Sequence, residues 1–140
     1  MSDIPKLRDE HFRLMGTVGR LRAVIERRMP PPQLHLLTLR HELSATLIAH
    51  LKAEDWLLYP RLLESPDRHV AATARAFSDE MGGLAANYAA HCERWNANAI
   101  SADWRGYCID LRLLLDALTI RITRENRELF PLLETLARAA

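Results

Sequence analysis

Apolar side chains recur along the chain at alternating steps of three and four, the spacing that lines up one face of an α-helix. Strand-like alternation at every second residue appears nowhere. A first segment, over about residues 4 to 29, presents Leu7, His11, Leu14, Val18, Leu21 and Ile25 on its seam. A second, over about 32 to 63, presents Leu36, Leu39, Leu43, Leu47, His50, Glu54 and Leu57. A third, over about 66 to 97, carries Val70, Ala74, Phe77, Met81, Leu84, Tyr88, His91 and Trp95. The fourth, over about 102 to 137, carries Leu111, Leu114, Leu118, Arg121, Glu125, Leu129 and Leu132.

The breaks between these segments are short. Pro30, Pro31 and Pro32 form the first, because a proline cannot continue a preceding helix. Ser65-Pro66-Asp67 forms the second, with Ser65 read as the cap and Pro66 in the first turn of the next helix. The polar stretch Asn96 to Ser101 forms the third, with Ser101 or Asp103 as the cap. Short connections between long amphipathic helices predict antiparallel neighbours, so the expected fold is all-α: an antiparallel up-down four-helix bundle occupying residues 1–140 as a single domain.

The chain also echoes itself. Asp9-Glu10-His11 is matched by Asp79-Glu80-Met81, and the run from His50 through Glu54 to Tyr59-Pro60 is matched by Arg121 through Glu125 to Phe130-Pro131. The aromatic-Pro pair follows the glutamate by the same interval in both halves. The bundle therefore reads as two similar helix hairpins, with any site lying where they face each other.

Composition narrows the function. Lys and Arg number 19 against 18 Asp and Glu, a formal net charge of +1, which gives no field for binding nucleic acid or an anionic membrane. The arginines at 20, 22, 27 and 28 read as a solvated helix face. Cys92 and Cys108 form no CxxC pair, so free thiols are expected. The opening Met-Ser-Asp-Ile-Pro-Lys lacks an apolar leader and no stretch reaches the length of a membrane span, pointing to a cytoplasmic protein.

Ionisable residues at seam positions carry the chemistry, since a buried charge must be paired, hydrogen-bonded or metal-bound. His50 and Glu54 stack one turn apart on one helix face. Helix reversal brings His11 level with them, and Arg121 and Glu125 fall at the matching level of the fourth helix. Two imidazoles and two carboxylates in one layer suit a divalent first-row metal. Taken singly, each histidine is better read as a satisfied core residue, with the glutamates paired to Arg121.

This order of His11, then His50-x-x-x-Glu54 with Leu-Leu-Tyr-Pro, then a second copy ending in Glu125 with Leu-Phe-Pro, resembles the hemerythrin-like (HHE cation-binding) family over nearly the whole chain. The resemblance implies a four-helix bundle around a non-haem di-iron centre that binds dioxygen or nitric oxide, senses redox state or handles iron. It further implies that His11 and His50 match the ligands of one iron and that Glu54 and Glu125 match the bridging carboxylates. The ligand positions of the second iron fall on Phe77, Met81 and Arg121, none of which ligates iron in ordinary chemistry. Either one iron or other divalent ion remains on His11, His50, Glu54 and Glu125, or Arg121, with its five donors, replaces the metal charge altogether.

The expectation is thus a mononuclear, non-catalytic gas- or redox-responsive or iron-handling bundle, with dioxygen or nitric oxide as its ligand. The alternative is a metal-free module that binds a regulatory protein partner, and a peroxidase-like iron enzyme ranks third. His91 belongs to a different layer, as a core or rim residue or, less favoured, a second site shared with His41. His35 and His69 read as exposed. Trp56, Tyr59 and Phe130 read as packing the end of the bundle, and Trp104 and Tyr107 as surface residues hinting at a homodimer face.

Overall fold

The computed structural model describes residues 3–139, which are helical almost throughout and include no strand. The first arm is α1 (Ile4–Ile25). It ends four residues before the expected position, because Glu26 to Met29 are exposed and precede a proline run that disfavours helical backbone. The second arm is α2 (Gln33–Lys52), a π-helical segment (Ala53–Leu58) and α3 (Tyr59–Leu63). α4 (Arg68–Met81) and α5 (Leu84–Arg94) form the third arm. A short α6 (Ala97–Ala102) precedes the fourth: α7 (Trp104–Arg124), a second π-helical segment (Glu125–Leu129) and α8 (Phe130–Ala139).

Three boundaries differ from expectation for local reasons. Asp67, not Ser65, caps α4: its carboxylate accepts from the backbone N–H groups of His69 and Val70, and Pro66 lies outside the helix. The stretch at 96–101 is not an open linker, since the Asn96 side chain caps a turn of helix at Ala99. Gly82 and Gly83 break the third arm, which the seam pattern had carried through unbroken. Asp103 caps α7 as anticipated.

Neighbouring arms meet in opposite senses. Glu10 meets His50 and Arg20 meets Glu42 along α1 and α2, while Arg8 meets Glu134 and Arg22 meets Asp116 between the first and fourth arms. The apolar seams bury two clusters. One, built around Leu14, Leu21, Leu47, Leu115 and Leu118, fills one half of the molecule. The other, built around Leu7, Leu58, Phe77, Leu129 and Phe130, fills the opposite half. Between them lies a polar layer.

The two π-helical segments explain where that layer sits. In each, the aromatic residue of the repeated aromatic-Pro pair donates its N–H five residues back, Tyr59 to Glu54 and Phe130 to Glu125. The following proline has no N–H to offer and crowds the preceding turn, so the widened turn falls just ahead of it. Widening adds one residue to the turn and moves the seam by one place. Leu58 is buried where Leu57 was expected, leaving Leu57 62% exposed, and Leu133 is more buried than Leu132.

Candidate metal centre

His11 lies midway along α1, His50 in the last turn of α2 and Arg121 in the last turn of α7, while Glu54 and Glu125 each sit within the first two residues of a π-helical segment. All five are at most 2% exposed and occupy the polar layer. The sequence brings these residues to one level, and the structure brings their side chains together.

One ligand atom from each of His11, His50, Glu54 and Glu125 lies within 4.8 Å of all the others. His11 Nε2 stands 3.1 Å from Glu125 Oε1 and 3.5 Å from Glu54 Oε2, and His50 Nε2 stands 3.1 Å from Glu54 Oε2. These four atoms are buried and none makes a hydrogen bond. Metal–ligand bonds of about 2.1 Å separate neighbouring donors by about 3.0 to 3.4 Å; two of the pairs stand at 3.1 Å and a third at 3.5 Å, within a cluster no wider than 4.8 Å.

The outward ring nitrogens are tied down. His11 Nδ1–H donates to Asn126 Oδ1 at 2.7 Å and His50 Nδ1–H donates to Glu10 Oε1 at 2.7 Å. In the neutral ring a proton held on Nδ1 leaves the lone pair on Nε2, the arrangement found around metal-bound imidazoles. Phe130 stacks on His11 with ring centroids 5.2 Å apart and closes that side.

Arg121 occupies the other side of the two carboxylates. Its Nη2 donates to Glu54 Oε1 at 2.9 Å and to Asp55 Oδ1 at 2.6 Å, and its Nε donates to Glu125 Oε2 at 3.3 Å. Its Nη1 donates to the Met81 carbonyl at 3.3 Å, an acceptor left without a helical partner by the break at Gly82. The Tyr59 hydroxyl donates to Glu125 Oε2 at 2.7 Å. Each glutamate therefore gives one oxygen to the guanidinium and turns the other toward the imidazoles.

Charge distributes unevenly over this network. Burial alone would raise the Glu54 carboxyl, but His11, His50 and Arg121 hold it well below the usual carboxylate range. Glu125 is pushed up to about 7 by burial and by the neighbouring charge of Glu54. Burial opposes protonation of His11, yet Glu125, Glu54 and the Asn126 oxygen outweigh it and push its pKa up to about 9. His50 moves in the same direction, its burial outweighed by Glu54 and Glu10. Burial likewise raises Tyr59, keeping its hydroxyl a donor.

The remaining expectations divide. Phe77 is buried in the apolar cluster beyond the layer, with the Arg124 guanidinium 4.5 Å above its ring, and Met81 is packed at that cluster's edge. His35 and His69 are exposed, and Cys92 and Cys108 are free. Trp56 does not pack the bundle end: it is 68% exposed and lies against Lys52, because the widened turn rotates it outward. Tyr59 and Phe130 are buried. Tyr107 is fully buried among Trp95, Trp104 and His91 and offers nothing to a dimer face.

Glu10, Asn126 and Asp55 were not anticipated. Each is a chain neighbour of a layer residue, so the signal was adjacency: a polar side chain beside a ligand position reaches across to the next arm. No helix among the described residues is long and apolar enough to cross a membrane. The family model described as the hemerythrin HHE cation binding domain matches residues 2–133. No curated protein and no solved structure matches the chain.

Proposed function

The chain belongs to the hemerythrin HHE cation-binding family, and from that premise we propose that it holds a single iron ion on His11, His50, Glu54 and Glu125, with Arg121 standing in place of a second metal. The observation that carries this reading is the division of the two carboxylates. Arg121 takes the outer oxygen of each glutamate, while Glu54 Oε2, Glu125 Oε1 and both Nε2 atoms face one another with no hydrogen bond. Four buried lone-pair-bearing atoms at this spacing call for a cation or for protons among them.

A ferrous ion held by these two imidazoles and two carboxylates would supply redox chemistry and an affinity for nitric oxide or dioxygen. The protein's own part is to fix the donors. Glu10 and Asn126 set the imidazole tautomers, Arg121 and Tyr59 hold the carboxylates, and the apolar clusters on either side keep bulk water out. With one metal in place of two, reversible dioxygen carriage is disfavoured, and a role in sensing gas or redox state or in handling iron follows.

Elemental analysis of protein purified anaerobically from iron-supplemented cells tests this reading, with His50→Ala prepared in parallel. About one iron per chain, lost in the variant, is the expected result. Absence of metal from both would overturn it and favour the second reading, a metal-free module that docks a protein partner. That reading has its own support: protonated His11 and Arg121 together neutralise Glu54 and Glu125 without any ion.

A further inference from the structure

A second polar feature lies at the other end of the bundle. On α2, Arg40 precedes His50 by ten residues, about 15 Å along the helix axis, so this region is separate from the candidate metal centre. A cleft of about 280 Å³ opens there between α2 and α5 and reaches the core at α7, lined by Arg40, Ser44, Tyr88, His91, Tyr107 and Leu111 among others. His41, at its mouth, shares the cleft with His91.

Two groups in this cleft lack a natural complement. The Tyr107 side chain is 0% exposed and its hydroxyl has no hydrogen-bond partner. Burial pushes its pKa up to about 12, so the oxygen keeps its proton and needs an acceptor. Arg40 lies over the Tyr107 ring, with its guanidinium carbon 5.8 Å from the centroid, and donates through Nη2 to the Trp95 carbonyl at 2.5 Å. No carboxylate among the described residues pairs with it, and its polar contact is to a backbone carbonyl. Asp110, the nearest acid to His91, is taken by His91 Nδ1–H and Trp95 Nε1–H.

The walls are aromatic and aliphatic. His91 stacks on Tyr88 and tilts against Tyr107, with centroids 6.5 and 5.7 Å apart, and Leu43 and Leu111 complete the floor. The Ser44 and Tyr88 hydroxyls satisfy each other. A guanidinium without a carboxylate partner and a phenol donor without an acceptor, lining one cleft with apolar side chains, complement an anionic acceptor on an apolar body.

We propose that this cleft binds a small organic monocarboxylate, its carboxylate held by Arg40 and the Tyr107 hydroxyl and its apolar portion against Tyr88, His91 and Leu111. The assignment is independent of the metal reading. Carboxylate–arginine geometry supplies the specificity, and the otherwise unmatched hydroxyl discriminates against ligands without an acceptor at that point.

Benzoate, with benzamide as its uncharged counterpart, is titrated into the full-length protein by calorimetry, with Tyr107→Phe and Arg40→Gln as variants and each titration repeated with a chelator present. Saturable benzoate binding at about 1 mM or tighter is expected, as befits so small a ligand. Each variant should raise Kd about tenfold, the worth of one good hydrogen bond, while benzamide binds far more weakly. Tyr107→Phe should melt no lower than the parent, since its hydroxyl has no partner to lose, which separates lost binding from lost folding. Equal binding of benzamide and benzoate, unchanged affinity in Tyr107→Phe, abolition of binding by the chelator, or no saturation at all would each overturn the proposal.

Discussion

Arg121 and Glu54 meet through one carboxylate oxygen only: Nη2 donates to Oε1 at 2.9 Å, while Oε2 turns away to within 3.1 Å of His50 Nε2. The same division recurs at Glu125, whose Oε2 receives Arg121 and whose Oε1 faces His11. A cation therefore lies on one side of the glutamate pair and a cluster of unpartnered donor atoms on the other.

Arg121 is the charge on which this layer depends. Replacing it with leucine leaves Glu54, Asp55 and Glu125 buried or half-buried without their shared cation, and a buried pair broken from one side costs about 3–5 kcal/mol. Arg121→Lys keeps the charge but cannot span the same acceptors, so it should lose less than half as much. Denaturant unfolding of the two variants measures this. Equal stability of Arg121→Leu and the parent would show that Arg121 is not the partner of these carboxylates.

Glu10 and Asn126 act through the imidazoles. Each accepts a proton-bearing Nδ1 at 2.7 Å and so directs a lone pair inward. Glu10→Gln and Asn126→Leu should weaken metal binding by about 10- to 100-fold while leaving helicity intact. Competition against a chelator of known affinity, read beside circular dichroism, provides the check.

The seam residues near the prolines give a sharper structural test. A regular helix would bury Leu57, but the widened turn buries Leu58 in its stead. Leu58→Ala should therefore cost about 2–5 kcal/mol, and Leu57→Ala should stay within about 0.5 kcal/mol. Reversed values would place the seam back on the regular period.

That shift marks where the sequence stopped being legible. His11, His50, Glu54, Arg121 and Glu125 were readable because charges on an apolar seam at matching helix levels have few places to go. The repeated aromatic-Pro pairs are visible too, but period counting has no term for a turn that gains a residue, so it places Leu57 on the seam, and the same turn carries Trp56 away from the bundle end it is expected to pack. Glu10, Asn126 and Asp55 lie off the seam, and only the packing of adjacent arms shows what they reach. Tyr107 was read as surface because its hydroxyl and aromatic ring suit either place, and the cluster of Trp95, Trp104 and His91 around it is a tertiary fact.

The last prediction turns on protons and metal competing for one cluster. Without metal, His11 has a folded-state pKa of about 9 against an ordinary value of 6.5. A raised pKa contributes stability that is fully present below about 6.5 and is lost as pH rises through about 9. The difference corresponds to something on the order of 3 kcal/mol, and His50, raised as well, acts in the same sense. The metal-free protein should accordingly melt lower at pH 9 than at pH 6. A metal needs the unprotonated Nε2 atoms and displaces their protons, so its affinity rises over the same interval. The gain in melting temperature on adding ferrous ion under anaerobic conditions should then be larger at pH 9 than at pH 6. Parallel melts of both forms across this range decide the matter: a gain that is flat or falls with pH would mean that the ion binds away from His11 and His50.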